Sequence, residues 1–124
     1  MTSSVAAQRI TGTAHSVTSD GYKLSVWEKR AEPGPRGASA TKAALLVHGG
    51  TYGGQTDYDI QTPAKDASLM DYLAARGLDV FTFDVRGYGR SEKPQDGFSV
   101  TTESAVRDIG AVVDAIRGLR GAES

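Results

Sequence analysis

The segment KAALLVHGGTYGG, residues 42–54, decides how the rest of the chain is interpreted. Residues 43–47 form a short continuous apolar run without polar alternation, which predicts a strand buried on both faces in the centre of a parallel sheet. The run is too short for an ordinary helix, and it leads directly into a His-Gly-Gly sequence that favours a turn. The segment therefore predicts a buried strand followed by a glycine-rich loop.

The loop after this strand, residues 48–54, is the predicted working part of the chain. Glycines directly after a buried strand let the backbone turn sharply and approach another group closely. In an open α/β sheet, ligands bind at the carboxyl ends of the strands. We therefore expect the backbone N–H groups of Gly50 and Thr51 to be the binding groups of this loop.

Composition restricts the class of protein. The 124 residues fit one domain, and 39% hydrophobic and 23% charged residues are typical of a soluble globular chain. A net charge of −1 without a basic run argues against a nucleic-acid partner, and the lack of cysteine excludes disulfides and thiolate zinc sites. The sequence shows no signal peptide and no membrane-spanning stretch. We expect a cytoplasmic protein with no membrane contact, no metal and no cofactor.

The first part of the chain predicts an antiparallel hairpin. Residues 9–18 are rich in Thr, Val and Ile, and residues 22–30 alternate in polarity. Between them, Asp20 and Gly21 supply the positive φ angles that a tight turn requires. Residues 31–41 are rich in Pro, Gly and Ala and predict a surface connection.

The segment after the glycine loop predicts one short helix. Residues 55–66 are polar and are expected to be irregular. The Ser-x-x-Asp spacing of Ser68 and Asp71 is that of a capping box, and Gly77 lies where a helix usually ends.

The last part of the chain predicts a second buried strand and a long helix. Residues 78–84 carry apolar side chains on both faces, which favours a strand parallel to the first buried one. Apolar residues at helical spacing then predict an amphipathic helix over residues 101–120. The members of this apolar stripe are Val106, Ile109, Val112, Val113, Ile116 and Leu119.

Together these elements resemble the N-terminal portion of the α/β-hydrolase fold. The resemblance is carried by a strand ending in HGG, residues 48–50, and a later strand ending in DVRGYGRS, residues 84–91. It covers residues 9–121 and implies one α/β domain portion with a hairpin, two parallel buried strands and two helices. Residues 1–8 are then a disordered start and residues 122–124 a tail. The family strand that carries the Gly-x-Ser-x-Gly nucleophile elbow would come next.

The resemblance implies an esterase-like or lipase-like serine hydrolase that is inactive as this chain alone. All three triad residues would lie beyond Ser124, because the family order is nucleophile, acid, histidine. Serine is the expected nucleophile, with aspartate and cysteine left open. Half of an oxyanion hole remains, from the N–H of Gly50 or Thr51, for an ester or similar acyl substrate. The chain would be truncated or one half of a split enzyme, and the alternative is a non-catalytic interaction module.

Other residues of the two loops are expected to order the backbone. His48 favours a ring-to-backbone bond over catalysis, and Asp84 and Arg86 either pair with each other or cap the turn. The glycines at positions 49, 87 and 89 are expected to allow the tight turns, and Tyr52 and Tyr88 either line a substrate pocket or cover the loop.

Two further functional interpretations are weak. A triad of Ser91, His48 and Asp84 is disfavoured because no Gly-x-Ser-x-Gly surrounds Ser91. Phosphate binding at residues 49–54 is disfavoured because the segment lacks Gly-Lys-Ser/Thr and is not expected to open directly into a helix. His15 is expected to be a half-exposed strand residue without a role.

The resemblance also predicts where a partner would bind. The missing family strand would pair beside residues 43–47, and without it this strand is an apolar edge. We therefore expect either a second chain that supplies the rest of the fold or self-association through this edge.

Overall fold

The computed structural model describes residues 9–32, 42–50, 53–64 and 66–121. The predicted disordered start at residues 1–8 and the tail at residues 122–124 lie outside the described residues, as does most of the predicted surface connection. Within the described ranges, no helix is long and apolar enough to cross a membrane.

The chain begins with the predicted antiparallel hairpin. Strand β1, Arg9–Ser19, pairs with strand β2, Tyr22–Glu32, and the register places Ser19 opposite Tyr22. Both turn residues have positive φ, 51° at Asp20 and 83° at Gly21. These angles match the right-handed twist of the two strands, which is why Asp-Gly turns favour hairpins.

Two parallel strands complete the described sheet. Strand β3, Lys42–Val47, pairs in parallel with strand β4, Leu78–Phe83, and the strand order is β1-β2-β4-β3. The parallel pair is as predicted, and β3 is the edge strand expected in the absence of the missing family strand. The expectation drawn from the apolar run alone, that β3 is central and buried on both faces, is wrong for the described chain. Here β4 lies between two partners, and β3 is an edge strand with Val47 38% exposed. An apolar run indicates which side chains favour burial. It does not indicate the position of the strand in the sheet, which depends on pairing between segments far apart in the sequence.

A short helix follows the glycine loop, contrary to prediction. Helix α1, Gly54–Tyr58, occupies part of the segment expected to be irregular, so the loop does open into a helix. Its start packs directly on β4, where a Cβ atom on Gly54 would overlap Thr82 Oγ1 and lie 2.7 Å from Phe83 O. Only glycine permits this close approach.

The other two helices begin and end close to the predicted positions. In helix α2, Leu69–Ala75, the Ser68 hydroxyl accepts a hydrogen bond from Asp71 N–H at 3.0 Å, and Gly77 follows with a φ of 94°. Helix α3, Thr102–Arg120, has a capping box formed by Thr101 and Ser104. The capping signal at Ser68 therefore located the start of α2, and apolar spacing located that of α3, whose capping box was not predicted.

Helices α2 and α3 cover opposite faces of the sheet. Met70 and Ala74 of α2 form a buried cluster with Val80, whereas Val112 and Ile116 of α3 belong to a cluster on the other face. The remaining buried members of that second cluster are Leu24, Val26, Phe81, Phe83 and Val85. Side chains alternate along β4, so Val80 faces α2 and its neighbour Phe81 faces α3.

The apolar stripe of α3 is rotated from its predicted position. Val106 is 60% exposed and Leu119 is 38% exposed, although both belong to the predicted stripe. The buried positions follow an i, i+4 series: Ser104, Asp108, Val112 and Ile116. The helix can turn its two polar members inward because Ser104 bonds the Thr101 backbone and Asp108 bonds Arg86.

Polar contacts hold the loop between α1 and α2, and the first turn of α2, against the hairpin. Trp27 Nε1–H donates to Asp59 at 2.7 Å, and Lys29 Nζ lies 2.7 Å from Asp71 Oδ1. Although burial opposes it, hydrogen bonds from Ser68 and Trp27 lower the pKa of Asp59. These contacts place the only tryptophan of the sequence at a defined position on the sheet.

Candidate functional site

The two glycine-rich loops leave the sheet side by side. Strands β3 and β4 are parallel, and their last residues, Val47 and Phe83, lie opposite each other. The loops that begin at His48 and Asp84 therefore leave the sheet at the same edge. The Tyr58 hydroxyl donates to the Val47 carbonyl at 2.6 Å and fixes the end of β3. This edge is where an open α/β sheet binds ligands.

His48 uses both ring nitrogens to hold these loops together. Its Nε2 accepts a hydrogen bond from Val85 N–H at 3.0 Å, so Nδ1 carries the proton and donates to the Gly49 carbonyl. The ring is 7% exposed and makes an edge-on contact with Tyr88, with centroids 5.2 Å apart. The neutral imidazole has no free lone pair with which to act as a general base.

Asp84 joins the two loops through backbone N–H groups. Its carboxylate accepts from Gly54 N–H at 2.7 Å and from Arg90 N–H at 2.8 Å. A Cβ atom on Gly53 would lie 2.6 Å from Asp84 Oδ1, and one on Gly89 would overlap Oδ2. The glycines on both loops therefore make room for this one buried carboxylate.

The Ser91 hydroxyl is also fully engaged in hydrogen bonds to backbone groups. The residue is 3% exposed, and its hydroxyl donates to the Asp84 carbonyl and accepts from Ser25 N–H at 2.8 Å. The structure does not form a triad of Ser91, His48 and Asp84, because each of these polar groups is bonded to backbone instead. Gly87, with a φ of 89°, belongs to the turn that carries Ser91 into this position.

Arg86 points away from Asp84 and pairs with helix α3. Its Nη2 lies 2.7 Å from Asp108 Oδ1 and 2.8 Å from Asp20 Oδ2. The hydrogen bond to Asp108 raises the pKa of the guanidinium against the effect of burial. At the hairpin tip, hydrogen bonds from Arg107 and then Arg86 lower the pKa of Asp20. Sequence analysis missed Asp108, for which the only signal is its place in the i, i+4 series.

The backbone of Gly49 and Gly50 is the open part of the site. Both residues are exposed, and a Cβ atom built on either would meet no heavy atom within 4 Å among the described residues. Thr51 and Tyr52, the second predicted donor and a predicted lining residue, lie outside the described residues. Gly49 and Gly50 are therefore exposed directly after the buried His48.

A buried acidic pair lies at the other end of β4 and was not predicted. Glu28 and Asp79 are 1% and 0% exposed. His15 Nε2 lies 2.8 Å from Glu28, and Arg120 Nη1 lies 3.2 Å from Asp79. Burial and then the neighbouring Glu28 raise the pKa of Asp79 to about 7, against the effect of Arg120. The pair is remote from the loops, and the described residues contain no group of three or more His, Cys, Asp or Glu that could hold a metal ion.

Comparisons with known proteins agree with the sheet and its loops. A family model described as alpha/beta hydrolase fold matches residues 43–118, more than half of the chain. Epoxide hydrolase VrEH1 from Vigna radiata is 26% identical, with a TM-score of 0.59 over 85% of this chain and 28% of that one. No curated protein matches the chain.

Two other solved structures share the fold. The thioesterase domain from the curacin biosynthetic pathway is 17% identical, with a TM-score of 0.64 over 85% of this chain and 32% of that one. Epoxide hydrolase CorEH is 22% identical, with a TM-score of 0.61 over 86% of this chain and 30% of that one. The chain therefore spans less than a third of the length of these proteins.

Proposed function

The chain belongs to the alpha/beta hydrolase fold family, and on that premise we propose that it is the N-terminal part of a hydrolase that acts on an ester or similar acyl substrate. The observation that carries the proposal is the exposed Gly50 just after β3, where a Cβ atom would meet no described heavy atom within 4 Å. The buried His48 accepts from Val85 N–H and Asp84 accepts from Gly54 N–H, and contacts on both sides of Gly50 would help to preorganise its N–H.

Such donors act on the charge that develops during acyl transfer. When a nucleophile attacks an acyl carbon, the carbonyl oxygen becomes an oxyanion, and a preorganised N–H stabilises it by about 3–4 kcal/mol. Gly50 or Thr51 would supply one donor. The second donor would follow the nucleophile, on a segment that this chain does not contain.

The chain would be inactive until another segment completes it. Ser91 and His48, which could otherwise serve as nucleophile and base, have their polar atoms bonded to backbone. Completion would come from a longer reading frame or from a second chain. The alternative is an interaction module that keeps the scaffold without the chemistry.

The decisive experiment is to read and express the DNA that follows the Ser124 codon. We expect it, in this or a shifted frame, to encode an apolar strand of some five residues that ends in Gly-x-Ser-x-Gly or a close variant. The extended or reconstituted protein should hydrolyse p-nitrophenyl acetate. In that protein, Gly50→Val should lower kcat by a larger factor than it alters KM. If no such strand is encoded there or by a neighbouring gene, the interaction module becomes the better explanation.

Epoxide hydrolysis is the second candidate reaction, favoured by the 26% identity to the Vigna radiata epoxide hydrolase over most of this chain. In that reaction, water is added across a strained three-membered ring to give a diol. Assaying the completed protein with styrene oxide and with p-nitrophenyl acetate separates the two substrates. Turnover of styrene oxide alone would replace the acyl substrate in this proposal.

A further inference from the structure

A small cavity lies in the segment that connects β4 to α3. It has a volume of about 370 Å³ and is lined by Gly87, Tyr88, Lys93, Pro94, Gly97 and Val100. Tyr88 also makes the ring contact with His48, the residue that precedes the exposed Gly49 and Gly50. The cavity therefore adjoins the loop that carries the proposed oxyanion donor.

Local contacts hold the lining of this cavity in place. A Cβ atom on Gly87 would lie only 3.1 Å from Val100 Cγ2, so these two parts of the lining are close together. Asp96 accepts a hydrogen bond from Phe98 N–H at 2.9 Å and caps the short helical turn Gly97–Ser99. These contacts would preorganise the lining, which lowers the free-energy cost of ordering it around a ligand.

Lys93 is the only charged residue among the described lining residues, and its ammonium group has unused donors. The Nζ atom donates to the Gly89 carbonyl at 2.9 Å, whereas an ammonium group carries three donors. Lys93 forms no ion pair with any carboxylate in the described part of the chain. Its neighbours in the chain are all described, and the undescribed Thr51 and Tyr52 of the adjoining loop carry no charge. A carboxylate in the cavity could therefore bind Lys93 Nζ.

We propose that the cavity binds the far end of the substrate, a short apolar group that ends in a carboxylate. Tyr88, Pro94 and Val100 supply apolar lining, and Lys93 supplies the cation. This inference rests on the proposed function, and it narrows the substrate class to half-esters of short dicarboxylic acids. The carboxylate would bind Lys93 while the ester carbonyl lies at Gly50, on the other side of Tyr88.

A phosphate group fits the cavity less well than a carboxylate. Phosphate recognition is favoured by several donors, such as the two N–H groups that an arginine presents side by side. Arg90, the nearest arginine in the sequence, directs its guanidinium to the Gln55 side chain on α1. The single ammonium group of Lys93 suits a singly charged ligand.

The first test measures the binding of small ligands to the full chain by NMR, through the amide signals of Tyr88, Lys93 and Gly97. The ligands are 3-methylbutanoate, its neutral amide, and acetate, which keeps the carboxylate without the apolar group. Gly97→Leu adds a side chain to the lining, where a Cβ atom would meet no described heavy atom within 4 Å. Lys93→Gln removes the cation, and Lys23→Gln, an exposed lysine outside the lining, is its matched control.

We expect 3-methylbutanoate to bind about three- to fivefold more tightly than its amide, as one exposed ion pair can supply. Acetate should bind more weakly than 3-methylbutanoate, because it buries less apolar area. Lys93→Gln should abolish the preference for the carboxylate, Gly97→Leu should weaken the binding of both larger ligands, and Lys23→Gln should change neither. Equal affinity for the carboxylate and the amide overturns the inference. So does an unchanged preference in Lys93→Gln, or a lack of ligand-dependent shifts at all three amides.

A second test separates this inference from the proposed function. In the extended or reconstituted protein, p-nitrophenyl hemiglutarate should have a lower KM than p-nitrophenyl pentanoate, its uncharged counterpart, and Lys93→Gln should remove the difference. Hydrolysis of both esters with equal KM would overturn the inference and leave the proposed function intact. Carboxylate binding by the chain together with an inactive extended protein would support the cavity and overturn only the proposed function.

Discussion

Arg86 and Asp108 connect the turn after β4 to the middle of α3 through a two-pronged ion pair. Arg86 Nη2 lies 2.7 Å and Nε 3.1 Å from Asp108 Oδ1, and the Arg86 backbone N–H donates to Oδ2 at 3.0 Å. Arg86 is 4% exposed and Asp108 is fully buried. The pair therefore links the loop-bearing edge of the sheet to the helix that covers it.

Removal of one partner should be costly because the other charge stays buried. We expect Asp108→Ala to lower the free energy of unfolding by about 3–5 kcal/mol, since Arg86 would keep only the partly exposed Asp20 as a carboxylate partner. Urea unfolding followed by Trp27 emission measures the change. Asp114→Ala, exposed on the same helix, should stay within about 0.5 kcal/mol of the wild type. A similar small effect for Asp108→Ala would contradict this role.

Two glycines should respond in opposite directions to alanine. Gly54→Ala places a methyl group against Thr82 Oγ1 and Phe83 O, so β4 or α1 must shift and stability should fall by about 1–3 kcal/mol. Gly110→Ala meets no atom within 4 Å in the described structure and should stabilise α3 by about 0.5–1 kcal/mol. Thermal unfolding compares the two, and equal shifts would show that the close approach of α1 to β4 does not limit stability.

Ser91 should behave as a structural residue. Its hydroxyl bridges the Asp84 carbonyl and the Ser25 N–H, so Ser91→Ala should cost about 1–3 kcal/mol by leaving buried groups unpaired. The purified chain should not react with a fluorophosphonate probe, nor hydrolyse p-nitrophenyl acetate faster than Gly50→Val. Probe labelling at Ser91 would support a catalytic triad within this chain and refute a purely structural role for the serine.

The buried acidic pair should make stability depend on pH. The pKa of Asp79 is raised from 3.8 to about 7, so the folded chain holds a proton that the unfolded chain releases between those values. Asp79 therefore contributes fully to the free energy of unfolding below about pH 4. This contribution, a few kcal/mol in total, is lost as the pH rises to about 7. Asp79→Asn removes this titrating group.

The measurement is urea unfolding of the wild type and Asp79→Asn at several pH values. The stability of Asp79→Asn relative to the wild type should rise between about pH 4 and about pH 7 and then level off. Asp114→Asn, with an exposed carboxylate, serves as the control and should show no such trend. A constant difference between Asp79→Asn and the wild type would mean that Asp79 is ionised throughout this range.

Local signals predicted most of the fold, and long-range pairing accounts for the errors. The Asp20-Gly21 turn and the cap at Ser68 depend on neighbouring residues, and each is confirmed. The apolar run of β3 predicted burial on both faces, whereas the edge position was expected only from the resemblance, which places a further strand beside β3. The start of α1 depends on contact between Gly54 and β4, and these segments are far apart in the sequence.

In the candidate site, too, local contacts were predicted and contacts between distant segments were not. Sequence reasoning expected His48 to bond backbone through its ring, and the structure supplies the partners, Val85 N–H and the Gly49 carbonyl. It could not assign Arg86 to Asp108, because a charged helix residue ordinarily faces solvent and burial becomes favourable only with a partner in place. Glu28 and Asp79 were missed for the same reason, since their partners, His15 and Arg120, lie on other elements.

The strand order also has a consequence for synthesis on the ribosome. Strands β1 and β2 are joined by a two-residue turn, so this hairpin can form as soon as it emerges, before its further partner β4 is made. Strand β3 has to wait for β4, since the bonded positions Leu46 and Thr82 are 36 residues apart. At about 5–20 residues per second, the apolar β3 stays unpaired for about 2–7 seconds of translation. During that interval the nascent chain exposes an unpaired apolar strand. Chaperone binding would protect the chain from aggregation more at this stage than at any later one.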